Sequence, residues 1–137
     1  MGGEAPSHYQ VSVPAEPDGL EHLHELIDRA RHDWPDVAPS DFDMLEMAVI
    51  ELAGNVAKHG RPTGATNVTL TLLVHDDALR ATLVDAGRRF AVRLDTDMPD
   101  AMDEAGRGIA MARFAVDTLD YEHAAGVNTW RLERHRR

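Results

Sequence analysis

The sequence predicts an α+β fold, one sheet with helices on a face, and three observations carry that expectation. Apolar residues recur at helical spacing through 18–34 and again through 40–60. The period then switches to two, with Val68, Leu70, Leu72 and Val74 alternating against Asn67, Thr69 and Thr71. A further apolar helix near 108–116 is followed by alternating residues up to Leu132. Strands and helices in that arrangement bury one another as two layers.

Each element has a local cause. Residues 8–14, His-Tyr-Gln-Val-Ser-Val-Pro, read as a short strand that Pro14 stops. Asp18 is the expected cap of a helix reaching about Trp34, with Leu20, Leu23, Leu26, Ile27 and Ala30 at helical spacing. The stretch 35–39, with a proline at each end, breaks it. Ser40 or Asp41 then caps a second helix, whose Phe42, Leu45, Val49, Leu52 and Val56 run toward Gly60, a good stop signal. Residues 61–64 form a loop. Strands over 67–74 and 79–85, joined by His75-Asp76-Asp77, are expected to pair as an antiparallel hairpin. Residues 91–105 are polar, contain Pro99 and read as a long loop. Leu119 and Tyr121, then Gly126, Val127, Thr129 and Leu132, suggest a closing hairpin.

At 137 residues the chain suits one domain, 1–137, with 1–7 expected to be disordered. No apolar run approaches the ~20 residues that span a bilayer, and the first residues lack a secretory pattern. No membrane association and a cytoplasmic location are therefore expected. Zero cysteines exclude disulfides and thiolate metal sites. A formal charge of −10 argues against direct nucleic-acid binding, which needs a concentrated positive field. The basic tail, Arg131, Arg134, Arg136 and Arg137, is expected to be a solvated end. The eight histidines are scattered and form no zinc-binding spacing.

Chemistry concentrates in three segments. The run Glu51-Leu-Ala-Gly-Asn55-Val-Ala-Lys-His59-Gly60 sets an acid, an amide and an imidazole at four-residue steps, which drift by only about 40° each on a helix. Glu51, Asn55, Lys58 and His59 then share a stripe opposite Leu45, Ala48, Val49, Leu52 and Val56. Glu and Lys at that spacing are ordinary surface chemistry, but Asn is a poor interior helix residue and asks for a reason. Asp85-Ala-Gly87-Arg-Arg-Phe90 ends the second hairpin strand. An aspartate there can accept from an exocyclic amine and Gly87 permits close approach, although such a turn is also common. Glu104-Ala-Gly106-Arg107-Gly108-Ile109 leads into an apolar helix, an arrangement that aims backbone N–H groups at an anion. It is neither a Walker A sequence nor a Rossmann fingerprint.

In that order the segments resemble the N, G1 and G2 boxes of the Bergerat-fold, or histidine-kinase-like, ATPases. The small size and the closing hairpin resemble the anti-sigma-factor serine kinases of the RsbW and SpoIIAB type, over about 12–134. The resemblance implies a two-layer sandwich with a mixed, mostly antiparallel sheet and helices on one face. It implies Asn55 as ligand to a Mg²⁺ that bridges ATP phosphates, and Glu51 as general base. His59 and Gly60 would close the first box near the nucleotide. Asp85 would accept from the adenine amine, Gly87 would give room and Phe90 keeps its family place. Gly106, Arg107, Gly108 and Ile109 would wrap the phosphates, 91–105 would be a mobile ATP lid, and Thr129 would stand near the adenine pocket. The G1 segment lacks a second glycine and the G2 segment is short in glycine. The implied function is phosphorylation of a serine on a STAS-type anti-anti-sigma partner, with sequestration of a sigma factor by a homodimer. A nucleotide-responsive binding module without chemistry is the alternative.

Overall fold

Period-two segments become strands and period-3.6 segments become helices in the computed structural model, which describes residues 6–59, 67–87, 89 and 104–137. The side chains of 58, 59 and 104–106 lie outside that description. The strands are β1 (His8–Pro14), β2 (Asn67–Val74), β3 (Ala78–Ala86), β4 (Thr118–Ala124) and β5 (Val127–His135). The helices are α1 (Pro17–Asp33), α2 (Pro39–His59) and α3 (Glu104–Ala115). No helix among the described residues is long and apolar enough to cross a membrane.

The five strands form one sheet in the order β1-β2-β3-β5-β4. Every pairing among the described residues is antiparallel, within the mostly antiparallel sheet expected. Register decides which side chains face the helices. Val13, Val68 and Asp85 share one rung of the inner face, as do Val11, Leu70, Leu83 and Trp130. The core lies between this face and Leu23, Leu26 and Ile27 of α1, Phe42, Leu45 and Leu52 of α2, and Ile109 and Ala112 of α3. Each such large aliphatic side chain contributes about 1.5–3 kcal/mol by leaving water. The outer face carries Gln10, Ser12, Thr69, Thr71 and Arg80, joined by hydrogen bonds such as Ser12 Oγ to Thr69 Oγ1 at 3.0 Å.

Several starts and ends differ from expectation. Pro17 opens α1 and Asp18 lies within its first turn, so the preceding Glu16 is the cap residue and makes no side-chain capping bond. Proline does this because its fixed φ suits the first helical position, where its missing N–H costs nothing. Pro39 likewise opens α2 one residue before Ser40. Helix α3 starts at Glu104, so 104 and 105 belong to it and not to the preceding loop. Pro6 and Ser7 are held in place: the Pro6 carbonyl accepts from Trp34 Nε1 at 2.7 Å, and the Ser7 carbonyl from Val74 N at 2.9 Å. Residues 1–5 and Gly60 lie outside the described residues. The β4–β5 hairpin turns on Ala125 (φ 53°) and Gly126 (φ 76°), a two-residue turn whose backbone matches the strand twist.

Arg134 departs furthest from its expected role. It is buried, not part of a solvated tail, and its Nε donates to Asp41 Oδ1 at 2.9 Å while Nη1 donates to the Ala115 carbonyl at 2.8 Å. One guanidinium thus satisfies the last carbonyl of α3 and a fully buried carboxylate in the first turn of α2. Arg137 N adds a bond to Asp41 Oδ2 at 2.9 Å. Arg136 reaches Asp36 Oδ2 at 3.0 Å, so most of the tail is tied to the fold.

Removing one partner of a buried ion pair leaves the other uncompensated. Arg134→Met should therefore lower unfolding free energy by about 3 kcal/mol or more, read by denaturant melts. Adding Asp41→Leu should recover most of that loss, because the stranded charge is then gone. An additive double variant would show that the two groups act independently.

Candidate functional site

The site begins where α2 meets α3. Asn55 is buried at 6% exposure and Glu51 is half-buried on the same side of α2. Facing them is Gly108, in the second turn of α3. A Cβ built there would stand 2.9 Å from Glu51 Oε2 and 3.4 Å from Asn55 Nδ2. The α3 backbone therefore touches both polar side chains, and a glycine is what allows the approach. This answers why an amide interrupts α2: Asn55 lies under α3 and not on a solvated stripe.

The two helices run in opposite senses. Asp41 and Ala115 are joined through Arg134 at one end, and Glu51 and Asn55 meet Gly108 at the other. The N-terminus of α3 consequently opens beside the acid and the amide. Its first-turn N–H groups have no partner inside the helix and carry the positive end of its dipole. Gly106 belongs to that turn, Arg107 is exposed, and the Ile109 side chain packs in the core at 2% exposure. Ile109 can offer only its backbone to a ligand.

A second cluster sits at the end of β3. Asp85 is 5% exposed, on the inner face of a sheet whose β3 and β5 lie under α2. Asn128, its neighbour across the β3–β5 ladder, donates Nδ2 to Asp85 Oδ2 at 3.2 Å. Asp85 Oδ1 accepts from no described residue. Burial raises the Asp85 carboxyl above its ordinary pKa, and the Asn128 amide and nearby His123 pull it back only in part. His123 Nε2 lies 3.0 Å from the Gly87 carbonyl, and Gly87 N donates to Gly126 O at 3.0 Å. The turn after Asp85 is thus held from the closing hairpin.

Thr129 does not join this cluster. Side chains alternate along a strand, and Thr129 pairs with Val84 on the outer face, while Asn128 takes the inward position beside Asp85. Sequence reasoning does not find Asn128 or His123. The available signal is alternation, since Asn128 shares its face with Trp130 and Leu132 and a polar residue there needs a partner. Gly60, Phe90 and 91–103 lie outside the described residues, as do the side chains of Lys58 and His59. His59 ends α2.

Chemically, the α2–α3 junction offers a carboxylate, an amide and backbone donors that have no partner within their own helix, all within one helix-to-helix contact. Among the described residues no three His, Asp or Glu side chains gather to hold a metal by themselves. A hard cation at Asn55 would take its other ligands from water and from a bound anion, which is how Mg²⁺ is commonly held. The Asp85 end offers one open acceptor in a largely dry setting, suited to a donor such as an amine.

Asp85 binds its proton more tightly in the folded state than in the unfolded chain. Stability is therefore fuller while the group is protonated and is lost as pH rises through its raised pKa. Asp85→Asn keeps an acceptor for Asn128 and removes the charge. The variant should melt above the parent at pH 7, with the gap closing by about pH 4, near the unperturbed carboxyl range. Thermal melts across that interval check it; a variant melting below its parent at pH 7 would contradict the assignment.

Comparison with known proteins bears on the fold and the family. No curated protein sequence matches the chain. Among solved structures, the RsbU and RsbW domains of Rv1364c from Mycobacterium tuberculosis superpose with a TM-score of 0.67 at 18% identity, over 96% of this chain. The chain spans 33% of that one's length. The histidine kinase domain of the blue-light-activated kinase EL346 from Erythrobacter litoralis gives 0.55 at 16% identity, covering 96% of this chain and 69% of its own. Acinetobacter baumannii histidine kinase AdeS gives 0.53 at 11% identity, covering 93% and 67%. These likenesses establish a shared fold. The family description histidine kinase-like ATPase domain matches residues 13–133, nearly the whole chain, and the chain belongs to that family.

Proposed function

We propose that this chain binds Mg-ATP between α2, α3 and the end of β3, and transfers the γ-phosphate to a serine of a small STAS-type anti-anti-sigma protein. In the same reading it holds a sigma factor inactive, as a homodimer. The observation that supports the site most directly is the contact of Gly108 with both Glu51 and Asn55. It gathers a carboxylate, an amide and a helix N-terminus, which supports reading them as base, metal ligand and phosphate cradle for phosphoryl transfer.

Each residue then has a role. Asn55 offers its amide oxygen to Mg²⁺, and the bound ion would neutralise charge on the phosphates. Glu51 accepts the proton of the attacking serine hydroxyl. The α3 N-terminus, with Gly106, Arg107 and Gly108, receives the phosphate oxygens. Asp85 accepts from the adenine amine through Oδ1, with Gly87 leaving space. His59, Gly60 and Phe90 are assigned to the nucleotide, and 91–105 to the lid, from the sequence resemblance, with 104 and 105 opening α3. The partner class comes from that resemblance too, and the fold shared with the RsbW-containing chain is compatible with it.

Incubation with Mg-ATP and candidate STAS proteins, followed by mass detection of phosphoserine, tests the reading. Glu51→Ala should cut transfer by about 10²–10⁴-fold, the usual contribution of a positioned base, with ATP affinity nearly kept. Asn55→Ala should weaken Mg-ATP binding itself. ATP bound tightly with no phosphate moved to any partner would instead identify a nucleotide-responsive binding module.

Gly108→Ala isolates the geometry. A methyl 2.9 Å from Glu51 Oε2 forces the carboxylate aside. Transfer should fall about ten- to a hundredfold while the melting temperature changes little, since misplaced groups cost rate before stability. Unchanged transfer in a folded Gly108→Ala protein would remove Glu51 from the base role.

A further inference from the structure

Asp85 is connected to more than Asn128. The Asn128 side chain is 4% exposed as a residue and bonded at both ends of its amide: Nδ2 donates to Asp85 Oδ2 at 3.2 Å, and Oδ1 accepts from the Tyr121 hydroxyl. Tyr121 lies on the edge strand β4, one rung away, where its ring stacks on Trp130 with centroids 4.4 Å apart. Trp130 is itself 2% exposed, so the phenol is carried on a fixed support. The result is a line of donors from the sheet edge inward: phenol to amide, amide to carboxylate.

An amide has two faces with opposite hydrogen-bonding character, and its orientation decides what Asp85 presents. An ionised carboxylate accepts only, so it requires Nδ2 and repels Oδ1. The buried Oδ1 then needs a donor of its own, because an unsatisfied buried acceptor costs about 1–3 kcal/mol. The Tyr121 hydroxyl supplies that donor in the one orientation that serves an ionised Asp85. With Oδ2 committed to the amide, Oδ1 of Asp85 is left as the acceptor for a ligand.

We propose that Tyr121 is a positioning residue for base selection: acting through Asn128, it holds Asp85 as a one-sided acceptor that favours a purine carrying an amine at C6 over one carrying an oxo group there. This rests on the reading that the site takes ATP, and extends it to which residues set the choice of base. An amine donates to the open oxygen. An oxo group would set a second acceptor against it, and sites built to bond a particular polar group reject analogues that leave it unpaired. Tyr121 is not a catalytic residue in this proposal, since it acts on Asp85 through Asn128.

The test is calorimetric titration of the full chain with Mg-ATP and Mg-ITP, whose bases differ at C6 in this way. The parent should prefer ATP. Tyr121→Phe keeps the ring against Trp130 and removes the donor. It should lower the ATP-to-ITP affinity ratio about three- to tenfold, the worth of one hydrogen bond, chiefly by weakening ATP. Asn128→Leu, similar in size but without the amide, should lower the ratio at least as far. A structural role alone would weaken both nucleotides together and leave the ratio fixed. A parent-like ratio in folded Tyr121→Phe overturns the proposal while the ATP reading stands. So does a fall in Tyr121→Phe that Asn128→Leu fails to reproduce. If the parent binds neither nucleotide, the ATP reading itself is overturned and the proposal with it.

Discussion

The closeness of α2 to α3 is the constraint on which the rest of the site depends, and it is fixed at both ends of the helix pair by different chemistry. At one end Gly108 lets backbone approach the Glu51 carboxylate and the Asn55 amide. At the other, Arg134 joins Asp41 of α2 to the last carbonyl of α3. Neither contact is a strong source of net stability. A buried ion pair roughly offsets its own desolvation, and a glycine inside a helix costs about 1 kcal/mol against alanine. What they supply is geometry. The apolar core would accept a range of helix positions, whereas a guanidinium bonded to both helices and a backbone contact without a Cβ accept few.

The base end is built on other principles. Asp85, Asn128, Tyr121 and His123 come from three neighbouring strands, so ladder register fixes their spacing before any side chain is considered. The carboxylate is held in a dry setting that resists its ionisation. That is a poor arrangement for stability and a good one for binding, because a ligand donor completes what the fold leaves open. In the proposed function, recognition rests on a group that the described residues satisfy only in part, carried on the sheet.

Much of this is legible in the sequence, and the rest is hidden for identifiable reasons. Period alone places the strands, because alternation over seven to nine residues puts one apolar face on a strand and scatters it around a helix. The misplaced polar residue in α2 flags the site, since Asn55 contradicts local propensity. The choice of Thr129 or Asn128 is hidden because one step along a strand exchanges faces, and only pairing with β3 decides which is inward. Arg134 reads as solvated because its partner Asp41 lies 93 residues away, and no local pattern reports a long-range ion pair. The start of α3 is obscured because its two glycines oppose helix formation locally, while packing against α2 supports it.

The two ends of the site hang from separate supports, and this has a consequence for how the protein can vary. Strand β3 ends at Ala86 beside Asp85, and α3 begins at Glu104, near Glu51 and Asn55. A ligand long enough to reach from Asp85 to the α3 N-terminus joins two clusters carried on different elements, one on β3, β5 and β4 and the other on α2 and α3. In the proposed function, changes at Asp85, Asn128 or Tyr121 act on which ligand is held, and changes at Glu51 or Gly108 act on what happens to it. Under that proposal, such a division allows recognition and phosphoryl transfer to be altered one at a time, so a relative that had lost only the carboxylate at the position of Glu51 would keep the nucleotide and become a binding module on the same fold.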